Sequence, residues 1–186
     1  MDEFSYLSVL LSIILGLAIT QILQGFRGLL LSRKHIEVYW PVIGWASIML
    51  LVCVQNWWSM FGMRNRHEWQ FEQFAMVLLQ TILFYMVAGL IFPDFSSESV
   101  SLKESFYAHR RWFFSLGATS VVVSVAKSLV LDAKLPNPKD LTFHIIFIAA
   151  LFSGVLIPRE SYHKALVVFV MLSFAVYTLL LYARMQ

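Results

Sequence analysis

Few side chains in this sequence could do chemistry, and most of them stand at the borders of long apolar runs. The densest set lies in two segments, Lys103-Glu104-Ser105-Phe106-Tyr107-Ala108-His109-Arg110-Arg111 and Arg159-Glu160-Ser161-Tyr162-His163-Lys164. Each reads as a basic residue, Glu, Ser, then Tyr and His, then a basic residue. Each follows a similar run, Gly89-Leu-Ile-Phe-Pro93 in one case and Gly154-Val-Leu-Ile-Pro158 in the other. Arginine offers a phosphate or carboxylate a planar fork, and lysine offers it a point charge. Histidine adds sensitivity to pH, because its ordinary pKa of about 6.5 lies near neutrality. Tyr107, His109, Arg110, Arg111, Tyr162, His163 and Lys164 are therefore the expected ligand-binding set, suited to an anionic lipid, ligand or partner. The same residues would also serve simply to orient and anchor helix ends. Arg33-Lys34-His35 makes a third basic, histidine-bearing corner.

A second group of polar residues lies inside the apolar runs. Ser8, Ser12, Gly16, Thr20, Gln24 and Gly28 recur every four residues, and Gly117, Ser120, Ser124, Lys127 and Ser128 recur every three or four. Helices in lipid associate through small residues and interhelical hydrogen bonds. Both stripes are expected to be buried contact faces, in contact with each other or lining a hydrated path together with Gln80. Lys127 is the one formal charge within a run. A cation at mid-membrane costs about 3 kcal/mol or more, so it is expected either to reach the headgroups along its own stem or to pair with Gln80 or Gln55.

Other chemistries find little support. His109 and His163 begin the fourth and sixth runs on the same side and could meet as a bis-histidine pair, while His67 and His144 lie toward the opposite side. No Cys cluster, His-x-x-His or intramembrane carboxylate completes a metal centre, so no cofactor is expected. Hydrolase elbows and nucleotide-binding loops are missing as well, and the sequence leans away from an enzyme. The net charge of +3 sits in short loops, too dispersed to track a phosphate backbone, so nucleic acid is not an expected partner.

These residues must be positioned by helices in lipid. Of the 186 residues, 59% are hydrophobic and 13% charged, with a mean hydropathy of +0.72; a water-facing surface usually needs about twice that share of charge. A spanning helix takes roughly 20 apolar residues, and backbone groups in hydrocarbon must be satisfied within the segment. The sequence therefore predicts an all-α, polytopic bundle of six spans in a single domain, at about 4–31, 38–63, 73–93, 112–131, 141–158 and 165–183. The acidic start and long first run argue against a cleaved leader. Asp140 is expected to cap the fifth helix, and Asp94 to pair with Arg110 or Arg111. Trp40, Trp57, Trp58, Trp69 and Trp112 read as interface markers.

Basic residues in short loops favour the cytoplasmic side. Arg27, Arg33, Lys34, Lys103, Arg110, Arg111, Arg159 and Lys164 outnumber Arg64, Arg66, Lys134, Lys139 and Arg184. That bias predicts a plasma or inner membrane protein with both termini outside. Two functional readings follow. The polar stripes favour a small-solute or ion channel or carrier, formed by one bundle or a homo-oligomer. The basic corners favour a binding or accessory protein.

Overall fold

A computed structural model describes residues 3–31, 36–64, 66, 69–95 and 100–182. Among the described residues there are six α-helices: α1 (Glu3–Leu31), α2 (Trp40–Met60, extended by a 3-10 turn at Phe61–Met63), α3 (Phe71–Gly89), α4 (Leu102–Asp132), α5 (Pro138–Leu156) and α6 (Glu160–Tyr182). All six are long and apolar enough to cross a membrane. The chain is an all-α, multi-pass membrane protein.

Several helix ends differ from the expected boundaries by a few residues or more, and the caps explain the starts of α4 and α5. Helix α4 begins ten residues before 112, because the Ser101 hydroxyl accepts the Glu104 N–H and starts the helix there. Its charged first turns extend a spanning helix through headgroup depth, where Lys and Arg are tolerated. Helix α5 is capped by Asn137, whose side chain accepts the Lys139 N–H, with Pro138 as the first helical residue. Proline is pre-set for that position, so Asp140 falls within the first turn and is not the cap.

Side-chain ties fix which connections share a membrane face. Ile36–Glu37 (β1), between α1 and α2, pairs in parallel with Val100–Ser101 (β2), between α3 and α4. Ser101 Oγ also donates to Glu37 at 2.8 Å. Lys103, at the start of α4, meets Glu160, at the start of α6, at 2.6 Å, and Lys164 meets the same carboxylate at 2.7 Å. The three odd-numbered connections thus form one joined layer, called here the corner face. On the other face Arg66, after α2, meets Asp132, at the end of α4, at 2.7 Å. The basic corner at Arg33-Lys34-His35 lies outside the described residues.

Helix α4 packs on α3 and α5, while α1 packs on α3 and α2. Helices α1 and α4 are not among the main packing pairs, so the two stripes do not meet across an α1–α4 interface. The core is aromatic: Trp45 meets Phe113 and Phe114 edge-on at 5.6 and 5.2 Å, and Phe106 meets Phe114 edge-on at 6.1 Å. Such pairs contribute about 1 kcal/mol each beyond the area they bury. Lipid supplies no hydrophobic drive between helices, so shape and ring geometry carry the packing.

Candidate functional site

The capped start of α4 sets a helical register in which Phe106, Arg110, Phe113, Phe114 and Gly117 all turn inward and are buried. This spacing of three and four is that of one helix face. Helix α6 enters beside it and inserts His163, whose exposure is 0%. The imidazole stacks on Phe114 at 5.4 Å and meets Phe106, Tyr107 and Tyr162 edge-on at 5.3, 5.7 and 5.9 Å. Tyr39, just before α2, closes the cluster against Phe106 and Tyr107 at 5.7 and 6.3 Å.

Several polar atoms in this cluster are buried without a hydrogen bond among the described residues: Tyr39 Oη, Tyr107 Oη, Trp45 Nε1 and both ring nitrogens of His163. The two tyrosine hydroxyls interact with each other, and His163 with the Ile157 backbone, but neither contact has hydrogen-bond geometry. Most buried polar groups in folded proteins are paired, so this concentration marks the region. A cavity of about 10 Å³ adjoins it, lined by Val42, Trp45, Leu90, Ile91, Phe106 and Phe113. That is room for about one water.

Arg110 is buried and donates from Nη1 to the Gly154 carbonyl at 3.0 Å. Gly154 stands in the last turn of α5, where carbonyls lack helical partners, so the guanidinium caps that helix end. Arg110 is thereby directed away from the expected pairing with Asp94, which is exposed. Tyr162 donates to Ser153 Oγ at 2.5 Å and stitches α6 to α5.

The expected ligand-binding set is thus divided. Tyr107, Arg110, Tyr162 and His163 converge inward. His109 and Arg111 are exposed, His109 bonding only to its own helix at Ser105 O, 3.0 Å away. Lys164 is held by Glu160. His109 and His163 therefore share no concavity, and no bis-histidine pair forms. The cause is register. Counted from Lys103 and Arg159, His163 corresponds to Tyr107, and His109 comes two residues later. Two helical residues turn the chain by about 200°, which sends His109 to the opposite side.

The intramembrane polar residues divide too. Ser12, Gly16, Thr20 and Gln24 are all exposed, and nothing approaches within 4 Å of the place a Cβ on Gly16 would occupy. Within the single bundle Gly16 is not buried. Repeats of four drift by about 40° per step around a helix. The face that packs is instead Leu11, Leu15, Ala18, Ile22 and Gly25, which alternates four and three. Gln80 and Ser120 are buried, with Ser120 donating to Gly117 O at 2.7 Å. Ser124 is half-buried, its hydroxyl 3.3 Å from His144 Nε2 on α5. Lys127 is half-buried, and among the described residues no ion pair or hydrogen bond joins it to Gln80 or Gln55.

Tyr39 and Trp45 belong to the cluster but had no sequence signal beyond being aromatic near a membrane interface. Gln21, whose buried Oε1 has no hydrogen bond, sits beside the stripe that the spacing of four picked out. Comparison with protein family models, curated proteins and solved structures gives no match.

Proposed function

We propose that this protein is a membrane binding or accessory protein whose corner face recognises an anionic group on a lipid, ligand or partner. One observation carries the reading. The three odd connections are tied into one layer by the β pair, the Ser101–Glu37 bond and the Lys103–Glu160–Lys164 bridge, and this layer carries Arg27, His109, Arg111 and Arg159 exposed. A rigid layer with outward cations loses little freedom when an anion binds. Beneath it the aromatic core leaves little space for a path within one bundle.

Native mass spectrometry of detergent-released protein tests this, because retained ligands and oligomeric state are read together. Anionic lipid or another anion should be retained, and proteoliposomes should show no solute flux above protein-free vesicles. Flux without anion retention would overturn the reading.

A second reading, a channel or carrier formed between copies, draws on the outward stripe of Ser12, Gly16, Thr20 and Gln24. Small and polar residues facing lipid suit helix–helix contact. Under that reading Gly16→Leu would break an oligomer; under the first it leaves mass and yield unchanged.

The proposed orientation puts both termini outside and the corner face in the cytoplasm of a plasma or inner membrane. Reporter fusions at Arg66 and Lys134 should both give an external signal. A cytoplasmic signal at both would invert the orientation.

A further inference from the structure

The geometry points to a seat for the phosphate headgroup of an anionic phospholipid at the α5–α6 corner, between Leu156 and Tyr162. This rests on the corner-face reading above and narrows it to one place. An open cleft of about 620 Å³ lies there, lined by Leu156, Ile157, Pro158, Arg159, Ser161 and Tyr162. Its lining is mixed in chemistry. Leu156 is 64% exposed at the end of a spanning helix, and with Ile157 and Pro158 it forms an apolar wall. Arg159 and Ser161 supply the polar part of the lining and are exposed, and no ion pair engages Arg159 among the described residues.

The surrounding charges favour an anion. Glu160 is adjacent, but Lys103 and Lys164 both hold it, at 2.6 and 2.7 Å. With Arg159 added, three cations face one carboxylate, so the corner is positive on balance. The first backbone bond of α6 runs from the His163 N–H to Arg159 O. The N–H groups of Glu160, Ser161 and Tyr162 precede it and add positive potential at the helix start. Arg159 supplies the fork that phosphate oxygens fit, and the Ser161 hydroxyl supplies a further donor. Tyr162, whose hydroxyl is engaged by Ser153, completes the lining.

The half-apolar wall selects the occupant. A free anion gains nothing from Leu156, whereas an acyl chain running down α5 from a headgroup on Arg159 covers it. The cleft also lies where α5 ends and α6 begins, and the ends of spanning helices meet the polar headgroup region.

The test uses the full chain in detergent with three probes: dioleoylphosphatidylglycerol, dioleoylphosphatidylcholine and inorganic phosphate, each read by native mass spectrometry. Wild type should retain the glycerol lipid over the choline lipid. Arg159→Ala should weaken that retention about tenfold, the effect of losing a charge-assisted contact. Arg159→Lys should recover part of it. Leu156→Ser should weaken lipid retention without creating phosphate binding, and Arg64→Ala on the other face should change nothing. Unchanged melting temperatures would show that the variants fold.

Lipid preference that survives Arg159→Ala but is lost in Arg111→Ala would overturn the seat while leaving the corner-face reading intact. No preference in wild type would overturn both. Arg159-dependent binding of inorganic phosphate without lipid preference would overturn the lipid assignment.

Discussion

Gly154→Ala should lower the melting temperature in detergent markedly, while Gly16→Ala should leave it unchanged or raise it. A Cβ on Gly154 would stand 2.8 to 2.9 Å from three ring carbons of Phe114. Phe114 cannot yield, because it is itself 0% exposed and is packed by Trp45, Phe106, Phe113 and His163. Overfilling a tight core costs about 1–3 kcal/mol. Moving α5 outward to relieve the clash would also stretch the Arg110 bond to Gly154 O, leaving a guanidinium buried without its acceptor. Unmet hydrogen bonds of charged groups add further cost. At Gly16 nothing lies within reach, and alanine is the better helix former by about 1 kcal/mol. Circular dichroism melts of the two variants decide the matter. Equal melting temperatures would mean that α5 can slide past Phe114 and that this core is not tightly specified.

The comparison of these glycines also shows what the sequence could and could not convey. The six spans were legible because hydrocarbon imposes length and apolarity on every segment, whatever its neighbours. Facing directions were not legible, because lipid and the protein interior are both apolar. A leucine such as Leu11 inside and one such as Leu17 outside look alike in sequence. The four-residue spacing through Gly16 drew attention to small residues, yet the buried face follows Leu11, Leu15, Ala18 and Ile22.

At the corners, the repeated Tyr, His and basic types were legible, and so was their shared membrane face. The depth of each side chain was not, since it turns on two residues of register between Tyr107 and His109. Nor did any local pattern join Tyr39 to the cluster. It arrives there because the parallel pairing of Ile36–Glu37 with Val100–Ser101 fixes the entry of α2 beside α4, a contact between residues far apart in the chain.

His163→Ala is expected to destabilise the protein by about 3 kcal/mol, whereas His163→Phe should stay within about 1 kcal/mol of wild type. The imidazole is completely buried, and four aromatic rings surround it at 5.3 to 5.9 Å. Truncation to alanine leaves a cavity that those rings cannot collapse into without losing their own geometry. Phenylalanine keeps a flat ring in the same slot and gives up only the contact with the Ile157 backbone, which lacks hydrogen-bond geometry. It also removes two polar atoms from an apolar setting, which offsets its slightly larger size. Thermal unfolding of the two variants in one detergent compares them directly. If His163→Phe falls as far as His163→Ala, the nitrogens do more than fill space. The ring would then hold a water or proton that the corner depends on, and the neighbouring hydroxyls of Tyr39 and Tyr107 are the groups to substitute next. If His163→Phe is stable but loses retained anionic lipid, the cluster acts on the corner face through the placement of α6, since His163 follows Arg159 by a single helical turn.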